Sequence, residues 1–101
     1  APATAHHGWS TYEPGQQQEV TGEIVELKWQ QPHAVVWIER DGERHEVWLS
    51  PLNRMLSRGL QPEALANGVT ISVDAQPRKT DATEWKAQAI TVGEKTFDLM
   101  R

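Results

Sequence analysis

The apolar positions of this chain recur mostly at every second residue, which is the period of strands rather than of helices. From Glu19 to Trp29 the alternation places Thr21, Glu23, Val25, Leu27 and Trp29 on one face and Val20, Gly22 and Ile24 on the other. Both faces carry apolar residues and Gly22 permits a bend or bulge, so the pattern predicts a long first strand shared between two sheets. Two further alternating runs, residues 34–40 and 43–49, flank Asp41-Gly42. Asp-Gly between such runs predicts a two-residue hairpin, because a type I′ turn needs positive φ at both central positions. That turn fixes the register: Arg40 opposite Glu43, Glu39 opposite Arg44, Ile38 opposite His45, Trp37 opposite Glu46, Val36 opposite Val47 and Val35 opposite Trp48. Val36, Ile38, His45, Val47 and Leu49 then form the core face. Val35, Trp37 and Trp48 lie on the other, with an ion pair at the hairpin tip.

Ser50-Pro51 predicts a helix start, with serine as N-cap and proline in the first helical position. Leu52, Met55 and Leu56 form an i, i+3, i+4 stripe, and Gly59 supplies the stop. Residues 61–65 suit one more helical turn, closed by Asn67-Gly68. Val69, Ile71, Val73 and Ala75 alternate with polar residues as a half-buried strand. A polar connection over 76–81 follows, then a strand over 84–92 and a short terminal strand around 96–99. The element order predicts a mainly β protein, a five-stranded OB-fold-like, partly open barrel with one short helix between strands 3 and 4. Residues 1–17 have no periodicity and read as an extended N-terminal arm on a barrel domain of residues 18–101, with Trp9 and Tyr12 packing back against it.

Length and composition narrow the function. One core fits in 101 residues, and five tryptophans supply large buried areas despite a modest apolar fraction. A net charge of −4 and the lack of a Lys/Arg stripe argue against nucleic acid as the partner. No apolar run reaches the length of a membrane span. Ala3-Thr4-Ala5 has the A-x-A form of a signal-peptidase site, so the expectation is a periplasmic protein, exported with its signal peptide removed, with His6 first if cleavage follows Ala5.

Nucleophilic catalysis has little support: there is no cysteine, no Gly-x-Ser-x-Gly elbow and no Gly-rich phosphate loop. The histidines carry the remaining chemistry. His6 and His7 are adjacent in the arm, so in an extended segment they point opposite ways, and Gly8 would provide the turn that joint chelation needs. His33 follows Pro32 at the end of the first strand. A site of one or two arm histidines with His33 is open and nitrogen-rich, suiting copper(II), or alternatively zinc. If His6 is the first residue, its amine and imidazole chelate together, in analogy with histidine-brace copper sites. The competing reading makes His6 and His7 solvated and His33 a loop cap. His45, facing Ile38, is expected to be structural.

Ala5-His6-His7-Gly8-Trp9, the Val20–Trp29 strand and Gln31-Pro32-His33-Ala34 resemble a family of small exported bacterial proteins, a domain of unknown function with A-H-H near the mature start and N-P-H after the first strand. Residues 50–59 resemble that family's S-P-N-x-L-x-R-x-G helix and residues 65–71 its L-K-P-G-D-x-V-x-V segment. Gln31 stands here for the family's asparagine and Gly8 for its serine-type residue, and the family's Glu-Gly-Gly before the helix is replaced by Val47-Trp48-Leu49. The resemblance implies a periplasmic β-barrel and carries the histidine pattern onto His6, His7 and His33. The resulting expectation is a metal-binding carrier or accessory protein, copper first, rather than an enzyme. Its rival is a module binding a periplasmic protein or peptide on the Val35, Trp37, Trp48 face. A metalloenzyme with an open copper position is a third reading.

Overall fold

The structure is a computed structural model that describes residues 17–100. Its order is β1 (Gln18–Lys28), β2 (Val35–Arg40), β3 (Glu43–Trp48), α1 (Leu52–Ser57), a 3₁₀ turn (Pro62–Leu65), β4 (Thr70–Arg78), β5 (Asp81–Val92) and β6 (Lys95–Asp98). The sheet runs β3-β2-β1-β4-β5-β6, and a parallel pairing of β3 with β5 closes β1 to β5 into a ring. The five-stranded barrel with one α-helix between β3 and β4 is thus present. β6 pairs on the outside, with β5.

The hairpin has the register its turn dictates, from Arg40 opposite Glu43 to Val35 opposite Trp48. Asp41 and Gly42 take φ of 54° and 78°, as a type I′ turn requires. Val36, Ile38, His45, Val47 and Leu49 are all buried. The charges near the tip pair differently from the expectation: Arg44 bonds Glu26 on β1, because β1 lies beside β2 with Glu26 opposite Trp37, over whose ring Arg44 lies.

β1 serves two partners. Gln18 to Glu23 pair with β4, and Glu23 to Lys28 pair with β2. The register slips between Ile24 and Glu26, so Val25 is a bulge and the inward parity reverses. Val20, Gly22 and Ile24 face inward before it, and Leu27 and Trp29 pack on the core after it. Gly22 is not the bulge but a close approach: a Cβ there would lie 2.7 Å from the carbonyl oxygen of Glu39 and 3.1 Å from the Cβ of Ile38.

α1 differs at its start. Pro51 holds the cap position and no side chain caps the helix. Ser50 is buried and its hydroxyl donates instead to the carbonyl of Leu99 at 2.7 Å. Met55 is fully buried, Leu52 packs against the core and Leu56 is 45% exposed, so the apolar stripe is narrower than its spacing implied. Gly59, at φ 87°, ends the helix. β4 runs through Pro77 to Arg78 where a polar connection was expected. β1 begins at Gln18, opposite Ala75, so beyond that point β5 is the only strand beside β4 among the described residues, and a proline is tolerated on such an edge. Leu99 fills the end of the core, its amide bonded to the carbonyl of Gln88 at 2.9 Å.

Candidate functional site: the His33 corner

β1 leaves the sheet at Trp29 and turns through residues 30–34 into β2, with a cis bond between Gln31 and Pro32. Ala34 then joins the barrel: its amide bonds the carbonyl of Ser50 at 3.2 Å and its carbonyl accepts the amide of Leu49 at 2.9 Å. His33 is therefore held next to the exit of β3. Its ring lies 5.9 Å, centroid to centroid, from that of Trp48, tilted by 57°.

The corner borders a cleft of 180 Å³ whose walls include Lys28, His33, Trp37, Glu46 and Trp48. The Trp48 indole N–H donates to Glu46 Oε2 at 2.5 Å, which pins the ring edge. Trp37 carries two cations near its ring, Lys28 Nζ at 5.9 Å and Arg44 Cζ at 5.6 Å from the centroid. Such contacts favour a cation over an indole face. The cleft is thus aromatic with a charged rim.

Of the three histidines expected to bind metal, His33 is at this corner, and His6 and His7 lie outside the described residues. Among the described residues no three histidine, cysteine, aspartate or glutamate side chains gather as a metal site. His45 is structural, as expected: it is 5% exposed and its Nδ1 accepts the indole N–H of Trp85 at 2.9 Å.

The strand register places the entry of β1 near this corner. Lys28 is opposite Val35, Val35 opposite Trp48, Trp48 opposite Lys86, and Lys86 opposite Gln76. Ala75, the neighbour of Gln76, is opposite Gln18. One circuit of the barrel therefore climbs from one end of β1 to the other. Gln18 and Trp48 are separated by three interstrand steps, roughly 15 Å.

One polar group at this end of the barrel has no signature in the sequence. Lys86 donates from Nζ to the carbonyl of Leu49 at 2.8 Å. Burial, and then the charge of Arg54, push its pKa down to about 8. Only the parallel β3–β5 pairing brings it to this end, and no local motif signals that contact.

A closed β-barrel with a histidine and two tryptophans at the β1–β2 corner is the class of protein these observations define. The sequence matches the profile of a family of unknown function (DUF6152) over residues 1–95, and the chain belongs to that family. No curated protein matches it. No helix among the described residues is long and apolar enough to cross a membrane.

Proposed function

We propose that this protein binds a transition-metal ion, copper before zinc, through His6, His7 and His33, and serves as a periplasmic carrier or accessory protein. The observation that carries the reading is the barrel register, which brings the start of β1 to within roughly 15 Å of Trp48, the ring neighbour of His33. His7 precedes Gln17 by ten residues, and ten residues reach up to roughly 33 Å when extended. The arm is long enough to deliver both imidazoles to His33. An all-imidazole donor set suits copper(II) or zinc(II) and leaves open positions for transfer to another protein.

Trp48 provides the readout. Copper(II) is titrated into protein that begins at its native N-terminus, with tryptophan emission followed alongside the affinity. The expected result is saturable quenching that is lost in His6→Ala and His33→Ala and reduced in Trp48→Phe. Absence of tight binding, or binding indifferent to both histidine substitutions, overturns the reading. Loss of binding when one residue is added before His6 would identify the terminal amine as a ligand. Fractionation of cells expressing the full gene tests the periplasmic location.

The cleft beside Trp37 and Trp48 favours a second reading, a periplasmic protein or peptide docked on this face with the histidines incidental. Partner binding abolished by Trp37→Ala and unchanged by metal would support it over the first.

A further inference from the structure

α1 and its C-cap carry two arginines four residues apart, Arg54 and Arg58, and the segment 50–60 contains no acidic residue, in a chain whose net charge is −4. Side chains at i and i+4 of a helix are neighbours on one face. The two line a 540 Å³ hollow with Pro51, Asn53 and Ser57, so no carboxylate stands in its lining.

Both guanidinium groups are already anchored at one end. Arg54 donates from Nη1 to the carbonyls of Leu99 at 3.2 Å and Met100 at 3.4 Å, and Arg58 donates from Nε to the carbonyl of Asp98 at 3.0 Å. A guanidinium has five N–H donors. Among the described residues no hydrogen bond uses Nε or Nη2 of Arg54, or either Nη of Arg58, and neither arginine has an ion pair. The carboxylate of Asp98 accepts the amide of Met100 at 2.8 Å. Ser57 directs its hydroxyl proton to the carbonyl of Arg54 at 2.9 Å, which leaves Asn53 as the other donor in the lining. The charge of Arg54 also contributes, after burial, to the lowered pKa of Lys86, the mark of a positive field at this end of the barrel.

We propose that the hollow over α1 is a binding site for a phosphate-class oxyanion, held between the outer N–H edges of Arg54 and Arg58 with the Asn53 amide as third donor. A planar carboxylate is satisfied by one guanidinium fork; two forks and an amide present more donors than it uses and suit a tetrahedral anion with three exposed oxygens. The backbone contacts to residues 98–100 restrain both arginines before the ligand arrives, which lowers the ordering cost of binding. The site shares no residue with the His33 corner, so it stands or falls apart from metal binding.

The probe is inorganic phosphate, titrated into the full chain at constant ionic strength and followed by amide and arginine Nε–H NMR shifts. Saturable shifts confined to residues 51–58 and 98–100 are expected, with affinity falling about tenfold in Arg58→Lys, which keeps the charge but loses the fork, and further in Arg54→Gln/Arg58→Lys. Asn53→Ala, at an exposed position, is expected to weaken binding several-fold without altering the fold. Acetate at the same ionic strength is expected to bind at least tenfold more weakly. No saturation by phosphate, equal binding by acetate, or affinity unchanged in both Arg58→Lys and Asn53→Ala overturns the proposal.

Discussion

Trp85 on β5 donates its indole N–H to Nδ1 of His45 on β3 at 2.9 Å, across the parallel seam that closes the barrel. The bond makes Nδ1 the acceptor and leaves the ring proton on Nε2, which faces Glu43 Oε1 at 3.3 Å. Both rings are buried, so the seam holds a polar pair that water cannot replace. Trp85→Phe is expected to lower the urea midpoint by the equivalent of about 1–3 kcal/mol from the stranded acceptor alone, and more from lost packing. The double variant Trp85→Phe/His45→Leu is expected to lose less than the sum of the two single losses. Strict additivity in the cycle would show that the pair is not coupled.

Gly22 leaves room for β1 and β2 to approach closely in the barrel wall. A methyl group there would stand 2.7 Å from the carbonyl oxygen of Glu39, and both atoms belong to strands fixed by pairing on either side. Gly22→Ala is expected to destabilise the fold by about 1–3 kcal/mol through overpacking, seen as a lower melting temperature. A change below ~0.5 kcal/mol would mean that β1 and β2 can part locally at little cost.

Lys86 sets a pH dependence of known sign. Its folded pKa is lowered from 10.5 to about 8, so between those values the unfolded chain binds more protons than the folded one. Stability contributed by this group therefore rises as pH climbs from about 8 to 10.5 and is flat below that window, where the lysine is charged in both states. The stability–pH slope of Lys86→Met is expected to fall below that of the parent protein in this window alone. Identical slopes would contradict the shift.

Arg44 and Glu26 offer a contrast. Their side chains are 53% and 49% exposed, and exposed ion pairs are worth little. Arg44→Ala is expected to cost about 1 kcal/mol or less, including its contact with the Trp37 ring. A larger loss in thermal melts would show that the cation holds Trp37 in place.

The parts of the fold that were legible in the sequence are those set by neighbours along the chain. Asp41-Gly42 dictates its own turn, and every hairpin partner follows by counting outward. The same count places Val35 opposite Trp48, so the meeting of His33 with Trp48 lay one step beyond a register already in hand. The bulge at Val25 was not legible, because an uninterrupted alternation cannot show that one residue is skipped; only the partner strand reveals it. Ser50 has the local chemistry of a helix cap, yet a carbonyl 49 residues later takes its hydroxyl, and no local pattern encodes that competitor. Residues 76–81 read as a polar connection, because the tolerance of Pro77 in β4 depends on where β1 begins. Arg54 and Arg58 lie in the helix segment that resembles the family's, but its pattern does not show the tail they grip or the hollow they border.

The fastening of residues 98–100 to Ser50, Arg54 and Arg58 has a consequence for how the chain reaches its folded state. The hairpin can form from a short stretch of chain, but the seam joins Glu46 to Glu84 and the tail contacts span nearly half the sequence. Loops of that length must be closed before the contacts are gained, so a high contact order slows folding. During synthesis, Ser50, Arg54 and Arg58 cannot make these contacts until residues 98–100 have been added. That end of the barrel is therefore fastened after the hairpin has formed.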